Sequence, residues 1–390
     1  MSTAKTIEAI TQYQEEMTEW RRDIHAHPET AFEEHRTAKI VTEKLASFGF
    51  DVETGIAGTG VVGTLKKGRG NRAIGLRADL DALPILEMND FAHVSKYPGK
   101  MHACGHDGHT AMLLGAAKYL SESAEFEGTV HLIFQPAEEN EGGGKAMIEA
   151  GLFDKYPVES VFGMHNIPGM AAGSFAVKSG PMMAAFDIFN LTIKGKGGHA
   201  AMPQFTIDPI IIGSKIIEAY QIIISRFIDP QEPAVLSITQ IHGGDAYNVI
   251  PNEVKISGCT RSFSPKVQAL MESKMDHMAR EICNAYGATA EFTYEHRYPA
   301  TINSKAESAI AAEVAESIVG ADAVNLNPKP AMGSEDFAFM LQEKPGSYVW
   351  IGNGQTDSIH NPGYDFNDQV APIGATYWVK LVEKLLPPIK

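Results

Sequence analysis

The 390-residue chain has only three cysteines, Cys104, Cys259 and Cys283, an odd number with no paired spacing. That excludes a disulfide-held scaffold and suits a reducing compartment, where a cysteine with a role is a ligand or a nucleophile. Basic charge is in deficit as well: 33 Lys and Arg against 48 Asp and Glu leave a net charge of -15. Such a surface repels phosphate backbones and anionic lipid, so neither nucleic acid nor a membrane is an expected partner. Long apolar runs are missing. The richest stretch, 210–224, is interrupted by Lys215 and Glu218 and is too short to span a bilayer. Residues 1–20 alternate apolar with Glu, Lys and Gln and carry no secretory core, from which a cytoplasmic location is expected. What is present, 44% apolar and 21% charged residues, is a globular composition, and the length suits two domains.

Periodicity predicts helical structure over 8–48, broken at His27-Pro28, because proline pushes the preceding residue out of the helical region. Strand-like runs at 60–66, 72–77, 129–134 and 160–164 alternate with helical segments at 110–121 and 145–150. That alternation predicts an α/β domain with a mixed sheet flanked by helices. From residue 184 the style changes to strand 186–194, helix 208–227, strands 234–242 and 253–263, helix 265–286 and strand 289–294. The order β-α-β-β-α-β is that of a ferredoxin-like α+β unit. After Pro299 the α/β style returns, with helices at 306–319 and 373–386 and a strand at 347–352. The expectation is a split larger domain, 1–183 and 299–390, with a smaller domain inserted at 184–298. Helix 208–227 carries isoleucine around more of its circumference than one sheet face needs. It is either an unusually apolar core helix or a subunit interface, and homodimerisation fits the latter.

Polar clusters follow three of the strands: Arg77, Asp79 and Asp81; Glu138, Glu139 and Glu141; His165 and Asn166. In an α/β sheet ligands bind beyond the carboxyl ends of strands, so these clusters are expected to face one crevice. A fourth cluster, Met101 to His109, places His102, Cys104, His106, Asp107 and His109 where a loop enters a helix. In extended backbone Cys104 and His106 lie on the same side and can grip one ion or two neighbouring ions. His102, His109 and His131, taken singly, read as structural. Together, a thiol, imidazoles and paired glutamates are costly to bury unpaired, which a divalent site explains. Consecutive Glu138 and Glu139 diverge if their backbone is extended, leaving one for metal and the other for the reacting water. A divalent ion lowers the pKa of water it binds from 15.7 to about 7, and a free carboxylate carries the proton, so the pattern points to metal-assisted hydrolysis. Cys104 as a nucleophile is the competing mechanism. Gly142-Gly143-Gly144 lacks the spacing of a phosphate-binding loop.

The motifs are specific. Arg22 to Glu29, Arg77 to Pro84, Met101 to His109, Gln135 to Glu139, Met164-His165-Asn166, Gly197 to Ala201 and Gly333 to Phe337 occur in this order across nearly the whole chain. They resemble the hippurate hydrolase and indole-acetyl-amino-acid amidohydrolase branch of the aminoacylase and carboxypeptidase G metallopeptidases. The resemblance implies two divalent metal ions per subunit held by Cys104, His106, Glu139, His165 and His360, with Glu138 as general base and acid. It implies that the inserted domain is a lid and dimer contact, and that His199 polarises the scissile carbonyl. Asn248 and Arg261 become candidates for gripping a substrate carboxylate. Zinc and manganese rank together as the metal, with cobalt or nickel also compatible. The implied reaction is hydrolysis of an N-acyl amino acid to a carboxylic acid and a free amino acid. The alternatives are an N-acetyl-diamino acid deacetylase, a dipeptidase, or a non-catalytic metal- or ligand-binding module.

Overall fold

A computed structural model describes residues 3–139 and 141–388. The chain forms two compact units: one built from the chain up to Met182, Ile302–Lys329 and Asp336 onward, the other from Met183–Thr301 and Pro330–Glu335.

The larger unit is organised on an eight-stranded mixed sheet. Its strand order is Asp51–Ile56, Gly60–Lys67, Gly128–Gln135, Ala73–Asp79, Ser160–Pro168, Gly346–Gly354, Phe175–Ala176 and Val324–Asn325. The four central strands, Gly128–Gln135, Ala73–Asp79, Ser160–Pro168 and Gly346–Gly354, run parallel. They are buried almost throughout, as expected of strands covered on both faces. Because they are parallel, their carboxyl ends emerge along one edge, and the polar clusters that follow them come together there. Helix His106–Glu122 is buried around nearly its whole circumference and packs against helices Gln14–Ala26 and Ala371–Leu385. The close approach depends on Gly115, whose added Cβ would sit 2.2 Å from Met17 Sδ and 3.4 Å from the Ala375 Cβ.

Three departures from the sequence pattern have local causes. The stretch 8–48 is three helices, Thr3–Thr11, Gln14–Ala26 and His35–Ser47, with a break at Gln12-Tyr13 besides the one after Ala26. Strand Asp51–Ile56, absent from the sequence expectation, is a half-exposed edge strand lacking a clear apolar alternation. The helix expected from residue 110 begins at His106, after Gly105 in the left-handed conformation at φ 94°.

The smaller unit is a four-stranded antiparallel sheet in the order Ala234–His242, Glu253–Ser262, Ala185–Lys194, Thr289–Tyr298. Helices Pro209–Ile222 and Pro265–Ala285 complete the β-α-β-β-α-β sequence of a ferredoxin-like fold. Phe189, Leu191, Ile193, Val254 and Ile256 from the sheet meet Ile212, Ile216, Tyr220, Met271 and Met275 from the helices in one core. The Pro209 helix starts at Asp208, whose side chain accepts from the Ile210 N–H, and ends in a π turn at Ile223–Phe227. Ile210, Ile211, Ile222 and Phe227 remain exposed on its outer side. Pro330–Glu335, expected in the larger domain, packs with this unit instead. The Ala184 N–H reaches the Ala331 and Gly333 carbonyls at 3.1 and 2.9 Å, and Arg261 Nη1 donates to Ser334 Oγ at 2.6 Å.

Candidate metal centre

The site begins with the turn Cys104-Gly105-His106. A Cβ at Gly105 would lie 2.2 Å from Asn166 Nδ2 and 2.5 Å from the Tyr364 hydroxyl oxygen. The extended geometry expected for Cys104 and His106 is therefore not what joins them. A left-handed glycine swings the chain into a helix, and His106 is its first residue. Asn166 Nδ2 donates to the Cys104 carbonyl at 2.8 Å and Tyr364 donates to Asn166 Oδ1 at 2.5 Å, which pins the turn to the end of the Ser160–Pro168 strand.

Donor atoms of Cys104, His106 and His165 all lie within 4.8 Å of one another, as do those of Cys104, Glu139 and His360, and those of His106, Glu138 and Glu139. The three groups share members, so all five residues that the family resemblance implies as ligands, with Glu138, form one connected cluster. Cys104 Sγ is 3.3 Å from His165 Nε2, and His360 Nε2 is 3.1 Å from Glu139 Oε1. The divergence expected of Glu138 and Glu139 does not occur. Their segment is not a strand, and Ala137, at φ 53°, turns the chain just before them. Glu141 is exposed and belongs to none of these groups.

The surrounding bonds fix which nitrogen each imidazole offers. His106 Nδ1 donates to the Asp81 carbonyl at 2.8 Å and His165 Nδ1 to the Asn166 carbonyl at 2.6 Å, so Nε2 is the nitrogen each could offer a cation. His106 Nε2 is buried with no hydrogen-bond partner. A buried imidazole nitrogen that makes no hydrogen bond, 3.7 Å from Asp79 Oδ2 and beside a thiol and two further carboxylates, fits a divalent cation, and the combined donors suffice for two. Charge points the same way. Burial, then Glu139, Glu138 and Asp79, push the Cys104 thiol well up. Burial opposes charge on His106, but Asp79, Asp81 and Glu139 outweigh it and raise its pKa to about 10. The cluster holds excess negative charge that a cation neutralises.

Several residues outside the implied ligand set support it. Asp81 Oδ2 accepts the Glu139 N–H at 2.9 Å and so holds both that residue and His106. Asp79 binds His109 Nδ1 at 2.6 Å, and His109 Nε2 accepts the Asn166 N–H at 3.0 Å. Asp79 is kept well below the usual carboxylate range: His106, His109 and Arg77 overcome its burial. Arg77, buried, spans Asp79 at 2.7 Å and Asp336 at 2.9 Å. Asp79, Asp81 and Asn166 are visible in the sequence within strand-end clusters, whereas Tyr364 and Asp336 as supports depend on contacts across about 200 residues. His25, in the first of the sequence motifs, is a buried ion-pair node between Asp107 at 2.9 Å and Glu87 at 3.0 Å.

His199, Asn248 and Arg261 belong to the inserted unit. His199 is exposed on the short strand Gly198–His199, which pairs with Val249–Ile250, and the neighbouring Ala200 N–H donates to the Asn248 carbonyl at 3.0 Å. The Arg261 guanidinium stacks 4.0 Å from the Phe186 ring centroid.

An α/β domain with a dinuclear-type donor cluster at the carboxyl ends of its parallel strands and a ferredoxin-like insertion defines a metallo-amidohydrolase. Residues 75–384 match Peptidase family M20/M25/M40, and the chain belongs to that family. It is 42% identical over 380 residues to a hippurate hydrolase from Campylobacter jejuni, covering 97% of this chain and 99% of that one. It is 38% identical to an N-acetylcysteine deacetylase from Bacillus subtilis, covering 95% and 97%. The crystal structure of the Bacillus subtilis YXEP protein, described as a dinuclear metal binding peptidase from the M20 family, superposes with a TM-score of 0.86 at 34% identity, covering 97% of this chain and 100% of that one.

Proposed function

We propose that the protein hydrolyses the amide bond of N-acyl amino acids, releasing a carboxylic acid and an amino acid. The observation that carries the reading is the cluster in which Glu138 lies within 4.8 Å of the donor atoms of His106 and Glu139, a proton acceptor beside a cation-binding set. The hippurate hydrolase likeness supports an N-acyl amino acid as substrate. In this reading Cys104, His106, Glu139, His165 and His360 hold two divalent cations. Such a pair supplies Lewis acidity at the carbonyl and at water. Glu138 takes the proton of the attacking water and returns it to the departing nitrogen. Its carboxylate is buried, and Oε1 accepts the Asp336 N–H at 3.3 Å. His199 supports the developing oxyanion, and Asn248 and Arg261 bind the substrate carboxylate. The thiol and imidazoles suit zinc, and the carboxylates suit manganese equally.

The exposed isoleucines of helix Pro209–Ile222 support a homodimer formed through the inserted domain. None of the described helices is long and apolar enough to cross a membrane, and with the reduced cysteines we place the enzyme in the cytoplasm. The test is a hydrolysis panel of benzoyl, acetyl and indole-acetyl amino acids with metal-stripped protein reloaded with zinc, manganese, cobalt or nickel. Glu138→Gln retains its metal and loses about 100-fold or more in kcat. Activity confined to N-acetyl diamino acids or dipeptides selects the alternative substrates. A wild type that binds metal and cleaves none of the panel selects a binding module.

A further inference from the structure

The segment Thr30 to Thr37, between the first two sequence motifs, has no role in the proposed chemistry, yet it supplies a buried carboxylate to the loop that carries Glu138. Glu34 is fully buried. Its Oε1 accepts the Phe32 N–H at 3.0 Å and, from across about 100 residues, the Ala137 N–H at 2.9 Å; Oε2 accepts the Thr59 hydroxyl at 2.5 Å. Ala137 is one of four non-glycine residues with positive φ among those described, at 53°, and is itself buried. A left-handed alanine is held against its own preference by about 1–2 kcal/mol, so something must fix it.

The bonds around this loop identify what does. On the far side of Glu138, the Glu139 N–H is taken by Asp81 Oδ2 at 2.9 Å. The Ala137 carbonyl accepts the Gly143 N–H at 2.9 Å, and Asp336 accepts the Gly144 N–H at 2.7 Å and the Gln135 amide at 2.8 and 2.9 Å. Asp81 already has a role through His106 and Glu139, and Asp336 through Arg77. The hydrogen bonds of Glu34 run to Phe32, Thr59 and Ala137, and of these only the Ala137 peptide leads to the donor cluster.

We infer that Glu34 is a positioning residue: its carboxylate locks Ala137 in the left-handed conformation and thereby sets the direction in which Glu138 leaves the backbone. The inference rests on the reading of Glu138 as the proton carrier. Glu34 and Asp81 clamp the N–H groups on either side of Glu138, and only the Glu34 half can be removed without disturbing a residue assigned to metal.

The experiment compares Glu34→Gln, Glu34→Asp and Glu34→Ala in the metal-loaded enzyme, measuring kcat, KM, metal content and amide hydrogen exchange of residues 135–139. Glu34→Gln retains an acceptor at the same reach, can donate its amide to Thr59, and keeps kcat within about threefold. Glu34→Asp keeps the charge but withdraws the oxygen, and Glu34→Ala removes it. A displacement of about 1 Å costs on the order of 100-fold. Both are expected to lower kcat by about 10- to 100-fold with KM within twofold and two metals still bound, and to speed exchange at Ala137. Adding Ala137→Gly to Glu34→Ala recovers about fivefold, since glycine adopts positive φ without strain. Equal kcat in all variants, losses that follow metal content, or exchange at Ala137 unchanged by Asp and Ala would overturn the inference. If the wild type hydrolyses nothing in the panel, the assignment of Glu138 fails, and the exchange measurement still decides whether Glu34 holds the loop. Should Glu34→Ala not fold, the contrast between Gln and Asp decides by itself.

Discussion

Gly105→Ala is the sharpest test of how the donor cluster is assembled. Gly105 sits at φ 94°, and alanine in the left-handed region costs about 1–2 kcal/mol. Its Cβ would also enter the space of Asn166 Nδ2 and the Tyr364 hydroxyl, at 2.2 and 2.5 Å. Relief requires Asn166 to move, breaking its 2.8 Å bond to the Cys104 carbonyl and the 2.5 Å bond from Tyr364. A buried polar group left unpaired costs a further ~1–3 kcal/mol. The total, roughly 2–5 kcal/mol at 1.4 kcal/mol per decade, corresponds to a loss of about 30- to 4000-fold in metal affinity if it falls on the closed ligand set. Calorimetric titration of zinc into stripped wild type and variant measures this directly. Gly99→Ala is the control, since Gly99 shares the conformation, at φ 87°, but has nothing within 4 Å of its added Cβ. It is expected to lose about 1 kcal/mol of stability and no metal affinity. Wild-type zinc affinity in Gly105→Ala would refute the view that this turn sets the spacing of Cys104 and His106.

Four further outcomes are expected. Arg77→Met strands the buried carboxylates of Asp79 and Asp336 and lowers the unfolding free energy in urea by about 3–5 kcal/mol. Two histidines impose opposite pH dependences. Burial lowers His131 to about 4, so between pH 6.5 and 4 only the unfolded chain gains its proton, and stability present above 6.5 is lost as pH falls; His131→Gln flattens the decline of Tm between pH 6.5 and 5. Burial opposes charge on His25, but Asp107 and Glu87 raise it to about 9, so its contribution is complete below pH 6.5 and is lost as pH rises through 9; His25→Gln makes Tm less sensitive between pH 7 and 9. Removal of metal by a chelator abolishes hydrolysis and lowers Tm, since a ligand bound only by the folded state stabilises it; an unchanged Tm would contradict a cation within this buried cluster.

Much of the architecture was legible because it depends on local periodicity. The inserted β-α-β-β-α-β unit shows its core in alternating Phe189, Leu191 and Ile193 and in the helical spacing of Ile212 and Ile216, which a single sequence displays directly. The edge strand Asp51–Ile56 escaped because half-exposed residues carry no such period.

At the site, the primary structure supplied the donor types, their order along the chain and their attachment to strand ends; those are properties of each segment alone. It could not supply the left-handed turns at Gly105 and Ala137, the His106 Nε2 left without a hydrogen bond, or the hold of Glu34 and Asn166 on distant peptides. Those features arise only when segments separated by dozens to hundreds of residues are buried together. There, every N–H and carbonyl must find a partner, and the partner it finds fixes the backbone angles that aim the reactive groups.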